Sequence, residues 1–238
     1  MTGRFPEAQI RPAATRTRVK VCGVRDVGTA AVCAEAGVDA VGLVFVRRSP
    51  RAVAVPEAAA VVRSLRGFGL HAPEPVGLFC DHPLNFVREV AAAAGLRTVQ
   101  LHGCESPADV AALARDGLTV WKAVPFAPDR LARWAGLPGL AALLVDAPPP
   151  GASEGALTGG HGQAFDWHAL AAVDRAGLPP LWLAGGLTPH NVAEAVRVVR
   201  PCGVDVSSGV EAARGVKDPA KVRAFAEAAR SVGPGDAG

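Results

Sequence analysis

Short apolar segments alternate with Ala-rich segments of helical periodicity eight times between residues 19 and 232. The apolar segments show no regular alternation of polar and apolar residues, which indicates strands that are buried on both faces, as in a parallel sheet. In the segments between them, apolar side chains recur at the three- and four-residue spacing of an amphipathic helix. The eight predicted strands are residues 19–24, 40–45, 75–79, 98–102, 119–124, 142–146, 181–184 and 204–207.

Eight such units fit a (β/α)8 barrel, which needs about 200 to 250 residues. The competing architecture is a doubly wound open sheet, which often has a G-x-G-x-x-G turn after its first strand, where this chain has Cys22-Gly23-Val24-Arg25. We therefore predict an α/β protein: a single-domain (β/α)8 TIM barrel with a parallel eight-stranded core. The barrel is assigned to residues 19–232, with a flexible arm at residues 1–18, a flexible tail at residues 233–238 and an active-site loop at residues 148–162.

Helix boundaries in this pattern are marked by capping residues and glycines. A Ser, Thr or Asp before Pro is typical of a helix start, and Gly is typical of the position just after a helix end. The predicted starts are Ser106-Pro107, Thr188-Pro189 and Asp218-Pro219, and the predicted ends are Gly37, Gly95 and Gly117.

Charge and cysteine usage exclude several functional classes. The formal net charge of +3 comes from residues 1–18, which hold four arginines and one glutamate, so the rest of the chain is balanced and no nucleic-acid partner is expected. The five cysteines are odd in number and never form a C-x-x-C pair, and the six histidines show no i, i+4 pair, so neither a disulfide framework nor a metal site is expected. A chain that needs no disulfides is expected in the reducing cytoplasm, and no membrane partner is expected, because no stretch of about 18 residues lacks a charge, Pro or Gly.

Polar residues and glycines stand where several of the predicted strands end. The carboxyl ends of barrel strands meet on one face, and that face carries the active sites of barrel enzymes. The residues at these ends are Cys22, Gln100, His102, Asp146, Gly185, Gly186, Asp205, Ser207, Ser208 and Gly209.

Six short motifs occur in a fixed order: Lys20-Val21-Cys22-Gly23, Ser49-Pro50-Arg51, Gln100-Leu101-His102-Gly103, Phe165-Asp166-Trp167, Ala184-Gly185-Gly186-Leu187 and Asp205-Val206-Ser207-Ser208-Gly209-Val210-Glu211. On these motifs the sequence resembles the phosphoribosylanthranilate isomerases of tryptophan biosynthesis over roughly residues 19–230. The resemblance implies a cofactor-free isomerisation of a small phosphorylated substrate, with Cys22 as the general base and Asp146 as the general acid. It also implies that Arg51 binds the anthranilate carboxylate and that Gln100, His102, Asp205 and Ser207 lie near the substrate.

The roles of Cys22 and Asp146 require shifted pKa values. A thiol serves as a base when nearby dipoles or cations favour its thiolate, and an aspartic acid serves as an acid when burial or neighbouring negative charge raises its pKa. The apolar residues before Asp146 could supply that burial. The alternative is that Cys22 is a small buried hydrophobic residue and Asp146 a loop cap.

The binding residues have alternatives of their own. Phosphate is expected at the backbone of the last two strand ends, Gly185-Gly186 and Ser207-Ser208-Gly209, because barrels often bind phosphate there. Gln100, His102, Asp205 and Ser207 could instead form a polar layer that closes the barrel, and Arg51 could be a solvated surface charge.

Two features of the chain depart from the family pattern. The loop after the sixth strand has Gly159-Gly160-His161-Gly162 where the family usually has a Gly-Gly-Thr/Ser-Gly run, and the resemblance assigns nothing to the arm.

Another phosphosugar barrel, of the indole-glycerol-phosphate synthase or ribotide isomerase type, is one alternative function; the synthase would use a central lysine such as Lys122. A non-catalytic phosphate-binding barrel is the other. The oligomeric state is left as monomer or homodimer.

Overall fold

The computed structural model describes residues 16–147 and 166–232. Eight parallel strands pair in chain order and close into a barrel in which β1 also pairs with β8, which confirms the predicted fold class. The strands are β1 Arg18–Cys22, β2 Ala40–Val44, β3 Glu74–Phe79, β4 Thr98–Leu101, β5 Thr119–Pro125, β6 Leu140–Asp146, β7 Leu181–Leu183 and β8 Gly203–Val206.

An α-helix follows each barrel strand within the described residues. The helices are α1 Val27–Glu35, α2 Val55–Leu65, α3 Leu84–Ala94, α4 Pro107–Arg115, α5 Pro128–Ala132, α6 Trp167–Ala171, α7 Val192–Val199 and α8 Pro219–Arg230. Two 3-10 helices, Arg66–His71 and Ser208–Val210, lie outside the regular units. After β8 the chain also forms a small antiparallel hairpin of β9 Glu211–Ala213 and β10 Val216–Lys217.

Local capping explains most of the helix boundaries. Ser106 and Asp218 accept hydrogen bonds from backbone N–H groups in the first turns of α4 and α8, as predicted. Gly95 ends α3 in the left-handed conformation that favours glycine. The predicted start at Thr188-Pro189 is wrong by about one turn: Asn191 Oδ1 accepts from Thr188 N at 2.7 Å, which stabilises a turn, and α7 begins at Val192.

The amino end of the barrel interior is filled by aromatic side chains. The rings of Trp121 and Trp182 lie 4.8 Å apart between their centroids, and the Arg18 guanidinium lies 5.1 Å from the Trp182 ring. Gly203 makes room for this packing, because a Cβ there would lie 2.5 Å from the Trp182 ring.

The barrel begins slightly before the predicted boundary. Arg18 already belongs to β1, and Arg16 pairs with Asp39 at 2.7 Å, so residues 16–18 are part of the described fold and not of an arm. Residues 1–15, the loop at 148–162 with His161, Phe165 of the fourth motif, and residues 233–238 lie outside the described residues. Among the described helices, none has the length and apolarity to span a bilayer.

Candidate active site

A cavity of about 780 Å³ opens at the carboxyl ends of the barrel strands. It combines residues from the ends of β1, β2, β3, β6 and β8 with residues from the loops after β2, β4, β7 and β8. Nine of the predicted site residues line it: Cys22, Arg51, His102, Asp146, Gly185, Gly186, Asp205, Ser207 and Ser208.

Two predicted site residues lie behind the cavity wall. Gln100 is fully buried, and its Nε2 lies 3.0 Å from Nδ1 of His102, so this contact orients the histidine ring. Gly209 lies inside the short 3-10 helix, where a Cβ would collide with the carbonyl oxygen of Leu187. Gly209 therefore allows the loop after β8 to pack closely on the loop after β7, and Gln100 sits one layer deeper than His102 on the same strand face.

The Cys22 thiol lies at the end of β1, almost completely buried. Gly42 on the neighbouring strand makes room for the sulfur, because a Cβ there would lie 2.8 Å from Sγ. Burial raises the pKa of this thiol, and Asp205 raises it further, against the opposing effects of Lys20, Lys217 and Arg51. The direction is opposite to the expected preference for thiolate, because desolvation outweighs the nearby cations.

The reactivity of the cysteines follows from this burial. Cys104 and Cys202 are exposed, whereas Cys22 and Cys33 are buried. Alkylation of the unliganded protein is therefore expected first at the two exposed thiols.

The Asp146 carboxyl group is buried at the end of β6, after the apolar residues of that strand. Burial and the negative charge of Asp205 raise the pKa of Asp146 to about 7, although the Ala147 backbone N–H and Lys20 act in the opposite direction. Oδ2 of Asp146 lies 3.6 Å from Nε2 of His102. A carboxyl group that is substantially protonated near neutral pH is suited to donate a proton.

Gly185 brings the loop after β7 against this carboxyl group. Its φ of +87° lies in the left-handed region, and a Cβ there would lie 2.8 Å from Oδ1 of Asp146. Gly186 also has a positive φ, of +64°. The two glycines therefore give the cavity wall a backbone surface without side chains, which suits close approach of a phosphate group.

A lysine buried in the barrel interior was not predicted as a site residue. Lys20 is fully buried, and its Nζ lies 2.9 Å from Oδ1 of Asp205. Burial alone would lower the pKa of Lys20, but the charge of Asp205 and the Cys22 sulfur raise it, so the lysine is cationic. The signal in the sequence was a charged residue inside the otherwise apolar first strand, two positions before Cys22.

The mouth of the cavity carries a three-residue ionic network, which we call the Arg51–Glu211–Lys217 network. Glu211 accepts two hydrogen bonds from Arg51, from Nε at 2.6 Å and from Nη2 at 3.0 Å. It also accepts one from Lys217 Nζ at 2.9 Å. Ser207 is connected to this network, because its carbonyl oxygen accepts from Lys217 at 2.9 Å and its hydroxyl donates to the Cys22 carbonyl at 3.0 Å.

Lys122, the candidate for the central lysine of an indole-glycerol-phosphate synthase, is bound to the loop after β4. Lys122 Nζ donates to the Gly103 carbonyl at 2.6 Å and to Glu105 at 3.0 Å. Lys122 does not line the cavity among the described residues. It ties the loop after β4 to the barrel, which is a structural use of its charge.

The fold and the cavity define a class of protein: a (β/α)8-barrel protein whose carboxyl-end cavity combines an acid, a thiol, cations and a glycine-lined wall suited to a small anionic molecule. A family profile described as N-(5'phosphoribosyl)anthranilate (PRA) isomerase matches residues 19–228. The chain belongs to this family, which confirms the resemblance seen in the six motifs.

Individual relatives and solved structures of the same family are similar to the chain over most of its length. An N-(5'-phosphoribosyl)anthranilate isomerase of Myxococcus xanthus is 44% identical over 219 residues, covering 90% of this chain and 97% of its own. The corresponding protein of Paracoccus denitrificans is 47% identical over 212 residues, covering 87% and 94%. A crystal structure of the Thermotoga maritima phosphoribosyl anthranilate isomerase is 34% identical, with a TM-score of 0.79, and covers 91% of this chain and 100% of its own. None of these relatives supports the synthase, the ribotide isomerase or the non-catalytic barrel.

Proposed function

We propose that this protein is the phosphoribosylanthranilate isomerase of tryptophan biosynthesis. It converts N-(5-phosphoribosyl)anthranilate into 1-(2-carboxyphenylamino)-1-deoxyribulose 5-phosphate, an aldose-ketose isomerisation of the Amadori type. The observation that carries the proposal is that a buried carboxyl group with a pKa of about 7, Asp146, and a buried thiol, Cys22, line one cavity in a member of this family. A phosphoribosyl anthranilate isomerase solved in complex with reduced 1-(o-carboxyphenylamino)-1-deoxyribulose 5-phosphate, 33% identical and with a TM-score of 0.76, supports the same choice of substrate.

In the first chemical step Asp146 donates its proton to the furanose ring oxygen. The ring C–O bond breaks as that oxygen becomes a hydroxyl group, and the nitrogen lone pair forms the C=N bond of a protonated Schiff base. Burial supports this role because it keeps the carboxyl group protonated near neutral pH. Nε2 of His102 lies 3.6 Å from Oδ2 of Asp146, where it can help to orient the carboxyl group.

In the second step the Cys22 thiolate removes the proton from C2 of the Schiff base. The C–H electron pair forms the C1=C2 bond while the C=N π pair returns to nitrogen, which gives an enol-amine that tautomerises to the ketone. Lys20, Lys217 and Arg51 each favour the thiolate, although burial keeps it a minor form in the unliganded protein. A thiolate with a raised pKa is also a stronger base once it has formed.

Two parts of the cavity lining suit the two charged ends of the substrate. The glycine-lined wall at Gly185 and Gly186, with Ser208 on the loop after β8, suits the phosphate. Arg51 on the loop after β2 suits the anthranilate carboxylate. Because substrate and product are isomers, the reaction as written needs no external oxidant or reductant. The absence of a cofactor, the cytoplasmic location and the choice between monomer and homodimer stay predictions.

The experiment for this proposal is a fluorescence assay with the purified protein. Phosphoribosylanthranilate fluoresces, and its loss is followed as the isomerase consumes it. We expect turnover with this substrate. A well-folded protein that leaves the fluorescence unchanged would contradict the proposal.

Replacement of Arg51 by Ala is expected to weaken binding of the anthranilate carboxylate. The lost contact is a charge-assisted hydrogen bond worth about 1.5 to 3 kcal/mol, so KM should rise roughly 10- to 150-fold, with a smaller change in kcat. Inhibition constants for product analogues with and without the carboxylate measure the effect. Arg47→Ala is the matched control, because Arg47 is exposed on the same loop and is not among the cavity-lining residues described. Equal weakening of both analogues in the Arg51 variant would indicate a structural role instead.

A further inference from the structure

An acidic residue stands where the cavity is expected to receive a negatively charged group. Glu211 lines the cavity beside Arg51, and its side chain is only 6% exposed. Burial would raise the pKa of Glu211, but hydrogen bonds from Arg51 and Lys217, the charge of Lys217 and the Gly215 backbone N–H lower it to about 2. Glu211 is therefore an anion at any pH at which the protein would function, and its position needs an explanation.

The charge of Glu211 is balanced by Lys217 as well as by Arg51. Lys217 Nζ lies 2.9 Å from Oε1 of Glu211, and the side chain of Lys217 is only 3% exposed. One anion between two cations leaves the Arg51–Glu211–Lys217 network with a net charge of +1. The network can therefore still attract a carboxylate, even though one of its members is acidic.

The contacts of Arg51 show what Glu211 adds. The aliphatic part of Arg51 packs over the backbone of Gly23, where a Cβ would lie 2.6 Å from Cδ of Arg51. At the other end, the carboxylate of Glu211 accepts two hydrogen bonds from the guanidinium. A free arginine side chain loses rotamer entropy when it is fixed. A guanidinium that is fixed before the substrate arrives does not bear that cost during binding.

We propose that Glu211 is the positioning residue that gives the cavity its selectivity for an aromatic ortho-carboxylate. Glu211 fixes the Arg51 guanidinium, while Lys217 balances the negative charge of Glu211. The inference rests on the proposed function and adds to it a residue that does not itself contact the substrate carboxylate. Arg51 uses Nε and Nη2 for Glu211, which orients the plane of its guanidinium relative to the cavity.

If Glu211 only repelled the substrate carboxylate, its replacement would change the affinity in the opposite direction. If Glu211 acted only through its negative charge, replacement by Gln would strengthen binding of a carboxylate. If Glu211 acts by positioning Arg51, the same replacement weakens it, because a neutral amide cannot accept two charge-assisted hydrogen bonds from the guanidinium. The sign of the change therefore separates the two explanations.

The test compares two probes in calorimetric titrations. One is reduced 1-(2-carboxyphenylamino)-1-deoxyribulose 5-phosphate, and the other is the same molecule without the carboxylate. In the parent protein we expect the first to bind more tightly, and in Glu211→Gln we expect this preference to fall about tenfold, the loss of one charge-assisted hydrogen bond. The affinity for the probe without the carboxylate should stay unchanged, which a general collapse of the cavity would not allow. In turnover, KM should rise more than kcat falls.

Two further variants keep the test decisive. Glu211→Asp retains the charge but sets the carboxylate back by one methylene, so it should restore part of the preference; it also replaces Glu211→Gln if that variant does not fold. Glu35→Gln makes the same change in an exposed ion pair, 3.3 Å from Arg223, and should keep the parent preference. An unchanged or increased preference in the folded Glu211 variants would overturn the inference. Because binding is measured without turnover, a parent protein that shows the preference but no isomerase activity would contradict only the proposed function.

Discussion

Replacement of Asp146 by Asn is expected to lower kcat by about 10² to 10⁴, the usual contribution of one general acid. Asn has the same shape but cannot donate a carboxylic proton to the ring oxygen, so binding should survive while the first step fails. Steady-state rates, together with the affinity for reduced product, measure both. Asp116→Asn is the control, because Asp116 forms an exposed pair with Arg88. Turnover near that of the parent would remove Asp146 from the mechanism.

The same substitution should make the protein more stable above neutral pH. The folded-state pKa of Asp146 is about 7, above the value of about 3.9 for an unfolded aspartate, so the folded protein binds the extra proton between these values. The free energy of unfolding of the parent therefore falls as the pH rises from about 4 towards 7, and stays lowered above it. At pH 8 Asp146→Asn should be more stable by roughly 2 to 4 kcal/mol, and this difference should disappear towards pH 4. Urea unfolding at both pH values checks the shift.

Replacement of Cys22 by Ser is expected to abolish most of the turnover, by at least about 10² in kcat. The hydroxyl group nearly preserves the size of the thiol beside Gly42, but its pKa lies far higher, so too little alkoxide forms to remove the C2 proton. Reduced product should still bind, because the phosphate and carboxylate ends of the cavity are intact. Single-turnover rates and calorimetry with the purified variant separate the two effects.

Cys33 provides the matched control for this variant. It is buried in α1 and is not among the described cavity-lining residues, so Cys33→Ser should keep its activity while losing about 1 to 3 kcal/mol of stability from the buried hydroxyl. If Cys22→Ser turns over as fast as the parent, the base lies elsewhere, and His102 becomes the leading candidate because it also lines the cavity.

The barrel could be predicted from the sequence because its determinants are local. A strand buried on both faces must be apolar along its whole length, and Asp218 and Gly95 mark a helix start and a helix end through their own capping geometry. The start of α7 was misplaced because Thr188-Pro189 resembles a cap, while the hydrogen bond that decides the boundary comes from Asn191.

The parts of the site that escaped prediction depend on contacts between distant residues. Glu211 meets Arg51 across 160 positions of sequence, and Lys20 meets Asp205 across 185. No local pattern indicates such pairs. The pKa of Cys22 was expected in the wrong direction for a related reason, since the sequence does not show how completely the folded barrel removes water from the thiol.

We propose that one cavity holds an acid, Asp146, and a base, Cys22, that together isomerise phosphoribosylanthranilate. The most direct measurement is a single-turnover fluorescence experiment with enzyme in excess, run side by side on the parent protein, Asp146→Asn and Cys22→Ser, after calorimetry has shown that all three bind reduced product. We expect rapid loss of substrate fluorescence with the parent and a loss at least about 10² slower with each variant. A parent protein that leaves the substrate unchanged, or either variant reacting at the parent rate, would contradict it.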